Sequence, residues 1–246
     1  MKNMNNKFLL VSIITFAAWL AAVSCTTRAT QTNSAALSER EILRTEPRNQ
    51  DCLPADALAK GLRQLSSNSE GETAQLLLIN VAERSPECRL QVIRDLMLAM
   101  DKPNLNFREH MDDYYLWRFG AAILGHLKAT EALDLLISHL TSRTATFSTS
   151  MSHQPALAGV IELGPVAIPK LVTVLNTNPD PEMRFFAVYC IATIGGPSAR
   201  ESLEQVLPSE TDTCVSQFIR VSLASFDSDG IIRDRGKWFP GGLCDK

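Results

Sequence analysis

Residues 163–199, LGPVAIPKLVTVLNTNPDPEMRFFAVYCIATIGGPSA, carry the clearest structural signals in the chain. Gly-Pro pairs at 164–165 and 196–197 each separate two apolar segments. Glycine is suited to the end of a helix and proline to the first turn of the next one. Between them, Asp180 followed by Pro181 is typical of a helix N-terminus. The stretch therefore predicts short helices joined by tight turns.

An apolar triplet at four-residue spacing occurs three times in and around this stretch. The sets are Ala132, Leu136 and Leu140, then Ala167, Leu171 and Leu175, then Ala199, Leu203 and Leu207. Residues four apart share one face of a helix, so each triplet predicts a helix with one buried face. A further apolar segment precedes each triplet, at 118–127, 155–164 and 184–195. The repeating unit is therefore predicted to be a helical hairpin.

The pattern resembles the HEAT repeats, and in particular the short bacterial kind also found in phycobilisome-lyase-like proteins. The resemblance is carried by LGPVAIP at 163–169, PDPEMR at 179–184 and IGGPSA at 194–199. It implies an all-α fold, a right-handed α-solenoid of four to five HEAT-like hairpins.

The same resemblance suggests roles for individual residues. Asp180 and Arg184 match the turn Asp and helix Arg with which the family links neighbouring repeats. The outward row of each second helix lies two and six residues after the first member of its triplet, and in HEAT-like stacks this row lines the concave surface where partners bind. In this chain the row comprises Asp134, Ser138, Thr173, Glu201 and Gln205. A solvated polar face is the alternative interpretation.

The predicted hairpins divide the chain beyond the N-terminal region into three parts. Residues 51–111 are expected to form divergent N-terminal hairpins, and 112–208 to form three HEAT-like repeats. Residues 209–246 are expected to form a last helix and an irregular cap over the end of the stack.

The N-terminus has the layout of an export signal. Lys2 and Lys7 precede an apolar stretch from Phe8 to Val23, which is too short for a permanent membrane span. Residues 1–24 are predicted to be a signal peptide. Ala22-Val23-Ser24-Cys25 resembles the lipobox of bacterial lipoproteins, which implies lipid attachment at Cys25; ordinary signal-peptidase cleavage at the same bond is the alternative. Residues 25–50 are predicted to be the lipidated Cys and a flexible tether.

Composition narrows the range of partners. The 246 residues are 45% hydrophobic and 21% charged, with a formal net charge of −3. Such a composition predicts a globular protein with a substantial core. Lys and Arg form no basic run, so nucleic acid is not expected as a partner.

The cysteines are candidates for disulfide bonds, because the predicted export makes disulfides chemically accessible. Cys190 occupies a predicted core position and is expected to be a buried free thiol. The predicted pairs are Cys52–Cys88 and Cys214–Cys244, and the alternative is that all of these thiols are reduced.

Signals for catalysis or metal binding are weak. The four histidines lack ligand spacing, and no CxxC, GxSxG, P-loop or GxGxxG motif occurs. Residues 225–232, SFDSDGII, match part of a calcium loop but lack the acidic residues at its first and twelfth positions, so an Asp/Gly turn is favoured. No metal or cofactor is predicted. The Ser/Thr-rich segment 141–152 is either a binding loop or an insertion without a role.

The sequence thus predicts a membrane-anchored HEAT-repeat protein that binds or scaffolds another envelope protein, on the periplasmic or cell-surface side. Two alternatives stay open. One is a lyase-like enzyme or small-ligand binder on the same scaffold, and the other is a structural lipoprotein that contacts the cell wall. The predicted partners are an envelope protein and, through the N-terminal lipid, the membrane.

Overall fold

The computed structural model describes residues 52–102, 105–144 and 153–233. In these ranges the regular structure is entirely helical. The helices are α1 (Ala55–Leu65), α2 (Gly71–Ala82), α3 (Pro86–Met100), α4 (Met111–His126), α5 (Leu133–Ser138), α6 (Pro155–Leu163), α7 (Ile168–Thr177), α8 (Pro181–Ile194), α9 (Pro197–Val206) and α10 (Thr213–Ser225). Short 3-10 turns precede α5 and α7 and follow α9.

The helix ends lie at the residues where the sequence predicts them. Asp180 caps α8, where its carboxylate accepts a hydrogen bond of 2.9 Å from the backbone N–H of Glu182. Gly164 and Gly195 directly follow α6 and α8 and have φ values of 81° and 71°. Such positive φ values favour glycine, which carries no Cβ to clash with the backbone. The turns predicted at these positions are confirmed.

Helix packing follows chain order. We call α2, α4, α6, α8 and α10 the A helices and α3, α5, α7 and α9 the B helices. Each A helix packs against the next A helix, and each B helix packs against the A helix that follows it. Helix α1 packs against α2, α3 and α4 at the N-terminal end of the described helices.

The apolar triplets form much of the core, as predicted, but they extend beyond the B helices: Ala132 and Ala167 lie in the 3-10 turns before α5 and α7, and Leu140 follows the end of α5. Eight of the nine side chains are buried, and Leu207 is half-buried because α9 ends before it in a 3-10 turn. Cys190 is also fully buried, and desolvation raises the pKa of its thiol. The predicted buried free thiol is confirmed.

Helices α4 and α6 make the closest contact between A helices. A Cβ atom on Gly159 would lie 2.9 Å from the carbonyl oxygen of Ala121, and one on Gly125 would lie 2.6 Å from the Cβ of Glu162. Both distances are shorter than real side chains allow. Glycine at these two positions therefore lets the two backbones touch.

The ion pair that connects the third repeat to its neighbour differs from the predicted one. Arg184 does not pair with Asp180; its Nε and Nη2 each donate a 2.9 Å hydrogen bond to the carboxylate of Glu210. The reason is local: Asp180 is engaged in capping α8, whereas Arg184 extends toward the turn before α10. Arg184 also donates to the carbonyl oxygens of Asn178 and Pro179, at 2.9 and 3.1 Å. It therefore links its own turn to the turn of the next unit.

A second ion pair lies at the same end of α8. Arg143, in the segment before α6, pairs with Glu182 in the first turn of α8. Together the Arg143–Glu182 and Arg184–Glu210 pairs connect the segment after α5, the N-terminal end of α8 and the turn before α10. Glutamates are the acidic partners in both ion pairs.

Candidate binding surface

The predicted binding residues lie on one side of the B helices, and we call this set the B-face. Its five members are exposed: Asp134, Ser138, Thr173, Glu201 and Gln205. The helices that carry them are neighbours. α7 packs against α9, and a 2.7 Å ion pair between Asp134 and Lys170 connects α5 to α7. The structure therefore brings the predicted residues onto three adjacent helices.

Local hydrogen bonds fix several B-face side chains. The hydroxyls of Ser138 and Thr173 donate to carbonyl oxygens in their own helices, Leu135 at 2.8 Å and Pro169 at 3.1 Å. Gln205 Nε2 donates to Glu201 Oε1 at 3.2 Å. Each of these side chains thus has a polar group engaged within its own helix.

Charge is unevenly distributed over the B-face. Lys170 neutralises Asp134 at one end, whereas Glu201 and Glu204 are both exposed on α9. The α9 end is therefore acidic. A partner with basic groups opposite α9 would be electrostatically favoured.

An apolar groove crosses three A helices and has a volume of about 510 Å³. It is lined by Glu72, Gln75, Leu76, Arg118, Phe119, Ala122, Pro155 and Ala158. Sequence reasoning missed this feature, because Leu76 lies in the continuous apolar run of residues 76–79 and resembles a core residue. Periodicity alone does not distinguish exposed from buried members of such a run.

A polar cleft of about 500 Å³ lies near the N-terminal end of α8. It is lined by Leu105, Asn106, Phe107, Arg108, Glu109, Thr141, Ser142, Arg143 and Glu182. The Ser/Thr-rich segment 141–152 thus contributes its first residues to a cleft. Residues 145–152 of that segment lie outside the described residues.

His139 is adjacent to this cleft. Its Nδ1 lies 3.2 Å from the hydroxyl of Ser142, and its ring packs edge-on to Trp117 at 4.6 Å. Desolvation lowers the pKa of His139, despite the opposing field of Asp101. The imidazole is therefore stabilised in its neutral form at neutral pH.

The described residues contain no cluster of three or more His, Cys, Asp or Glu side chains that could hold a metal ion.

Segment 225–232, which matches part of a calcium loop, forms hydrogen bonds within itself. Asp227 Oδ1 accepts hydrogen bonds from the backbone N–H groups of Asp229 and Ile231, both at 2.9 Å. Its other oxygen pairs with Arg233 at 2.5 Å. Backbone hydrogen bonds, together with the Arg233 pair, lower the pKa of Asp227 against weak desolvation. The segment forms a turn stabilised by its own carboxylate, as the favoured interpretation predicts.

A disulfide joins Cys52 and Cys88, with 5.1 Å between their Cα atoms. The bond fixes the segment before α1 to the first turn of α3. Cys214 is also disulfide-bonded, and its partner lies outside the described residues. The pairing of Cys214 with Cys244 therefore stays a prediction. Cys25 and the predicted signal peptide and tether also lie outside the described residues.

One stretch of the described residues, Pro155–Thr177, is apolar and long enough to cross a membrane. It consists of α6, a 3-10 turn and α7, and 44% of its most apolar window is buried within the protein. Core helices of soluble proteins pass the same test, so this is weak evidence for a membrane span.

Comparison with known proteins identifies no relative. No protein-family model matches the chain, and neither the curated proteins nor the solved structures give a match.

Proposed function

We propose that this chain is an exported, lipid-anchored α-solenoid whose B-face binds another protein of the cell envelope. The observation that carries this proposal is the exposed, ordered row of polar side chains across α5, α7 and α9. Repeat stacks present extended surfaces of this kind, and partner binding is their common use.

The order in which the helices pack supports the proposal that the chain is an α-solenoid. Each A helix contacts the next one, and each B helix contacts the A helix that follows. In a solenoid, each repeat buries its apolar face mainly against its neighbours. The close α4–α6 contact and the two ion pairs at α8 are contacts between successive units of this type.

The disulfide supports export. The Cys52–Cys88 bond requires a non-reducing environment, such as the bacterial periplasm or the cell surface. The sequence preceding it contains the predicted signal peptide and the lipobox-like residues ending at Cys25. Lipid attachment there would hold the stack at a membrane by a tether of about 25 residues, which spans roughly 25 to 30 Å as a flexible coil.

The test is affinity capture of the full chain from its own membranes after mild crosslinking, followed by mass spectrometry. Two features are expected: a diacyl or triacyl modification on Cys25 and a stoichiometric envelope protein. An unmodified Cys25 would contradict the lipid anchor. Recovery of the bait alone would contradict the scaffold role.

Charge reversal tests whether the partner protein binds to the B-face. The variant Asp134→Lys/Glu201→Lys is expected to lose the partner, because reversal at Glu201 repels basic groups and reversal at Asp134 leaves Lys170 without its counter-charge. The matched control is Asp56→Lys/Glu70→Lys, which reverses two exposed acids at the start of α1 and α2. Equal loss in both variants would indicate a net-charge effect and would contradict the assignment to the B-face.

A further inference from the structure

The apolar groove on the A helices has the features of a self-complementary surface. Its floor contains Ala122 and Ala158, whose short side chains lie on the closely packed helices α4 and α6. Phe119 completes the floor and is 3% exposed. The groove is therefore apolar at its base and open to solvent above.

Leu76 lines the groove and is exposed. It lies on α2 with 63% of its surface accessible, whereas Ala74 and Leu78 on the same helix are buried. A protruding leucine beside a groove of small side chains provides both a knob and a hole on one surface. Contact between two such surfaces would remove apolar area from water on both sides.

Two opposite charges border the groove. Glu72 lies on α2, one turn before Leu76, and Arg118 lies on α4. Both residues are exposed, and within the described residues neither belongs to an ion pair. Arg118 is positioned over the Phe119 ring, with 5.3 Å between its guanidinium carbon and the ring centroid. Arg118 also makes a hydrogen bond with the side chain of Tyr114, which carries no charge to neutralise the guanidinium.

We propose that this groove is the interface of a two-fold symmetric homodimer. In a two-fold interface the same patch occurs on both sides, so every knob must meet its own hole and every charge its opposite. The groove supplies one element of each kind: an exposed leucine beside small side chains, and one acid and one base at its border. Leu76 of each copy enters the groove of the other, and Glu72 of each copy faces Arg118 of the other.

This inference goes beyond the proposed function and does not depend on the lipid anchor or on the partner. The dimer would use the A helices and leave the B-face open for binding. Two copies on one membrane would then present two B-faces, which would strengthen attachment to a multivalent partner.

The first test compares two leucine variants of the full chain in detergent by analytical ultracentrifugation, over about 1 to 100 µM protein, the range expected for a small interface. Wild type is expected to show a reversible monomer–dimer equilibrium. Leu76→Glu is expected to weaken the dimer by about 100-fold or more, because both copies lose a central apolar contact. Leu98→Glu is the matched control. Leu98 is 69% exposed on α3, outside the groove, and its variant should dissociate like wild type.

A charge swap tests the predicted pairing. Glu72→Arg and Arg118→Glu are each expected to weaken the dimer by about tenfold at low salt, because attraction becomes repulsion at two symmetric positions. The double variant restores opposite charges and is expected to return to within about threefold of wild type. Thermal unfolding of each variant checks that the monomer is intact.

Three results would overturn the proposal. A wild-type chain that is monomeric throughout the concentration range would remove the dimer itself. A dimer weakened equally by Leu76→Glu and Leu98→Glu, or by neither, would place the interface elsewhere. A double charge variant no better than the single variants would contradict the Glu72–Arg118 pairing.

Discussion

Replacing Glu210 with glutamine should destabilise the protein substantially, because it leaves a buried guanidinium without its counter-charge. The side chain of Glu210 is 2% exposed and that of Arg184 is 11% exposed. Glu210→Gln preserves the size of the side chain but removes the negative charge, and its single amide oxygen can accept only one of the two hydrogen bonds from Arg184. Breaking a buried pair by removing one partner typically costs about 3 to 5 kcal/mol. Two backbone carbonyls still accept hydrogen bonds from Arg184, so we expect the lower end, about 3 kcal/mol.

Urea unfolding followed by circular dichroism at neutral pH measures this effect. For a domain of this size the expected loss lowers the midpoint by about 1 to 1.5 M urea. Glu204→Gln is the control, since it makes the same charge change at an exposed site on α9. The variant Arg184→Met/Glu210→Leu should recover most of the stability, because no charge is left buried. Equal midpoints for Glu210→Gln and Glu204→Gln would refute the reasoning.

Three further predictions concern pH, the disulfide and glycine packing. Burial opposes ionisation of Glu210, but hydrogen bonds from Arg184 and the backbone outweigh it and lower the pKa of Glu210 below 4.5. The stabilisation that ionised Glu210 provides is therefore complete above pH 4.5 and is lost as the pH falls through the lowered pKa. The urea midpoints of wild type and Glu210→Gln should consequently differ at neutral pH and converge in acid. Cys52→Ser should cost about 4 kcal/mol in the chain-entropy model for a separation of 36 residues, measured by urea unfolding; an unchanged midpoint would contradict it. Gly159→Ala should lower the melting temperature, at a cost of about 1 to 3 kcal/mol, because its Cβ meets the α4 backbone. Gly61→Ala should be neutral or stabilising by up to about 1 kcal/mol, because its Cβ meets only a leucine side chain at 3.4 Å or more; equal effects of the two substitutions would contradict this account.

The helices and their ends were predictable because local signals and the apolar spacing agree. Gly164, Asp180 and Gly195 mark helix ends by backbone requirements that act within a few residues. The triplets mark buried faces through a spacing that any helix must follow. These two kinds of signal depend on neighbouring residues alone, so they are visible in the sequence.

The ion-pair partner and the groove were not predictable in the same way. Asp180 lies near Arg184 in the sequence, whereas Glu210 comes close to Arg184 only in the folded chain. The packing of α8 against α10 is what makes Glu210, rather than Asp180, the partner of Arg184. The groove exists because of the distances between α2, α4 and α6. The periodicity of apolar residues along the sequence gives no information about those distances. Both features arise from tertiary geometry.

The central claim is that the B-face of this stack binds an envelope protein, and site-specific photo-crosslinking in living cells tests it most directly. A photoreactive residue is placed in turn at Ser138, Thr173 and Gln205, and at the exposed control positions Lys60 and Gln217. We expect the three B-face positions to yield one common crosslinked protein and the two control positions to yield none. Crosslinks from the control positions alone, or no common product from the B-face, would contradict the claim.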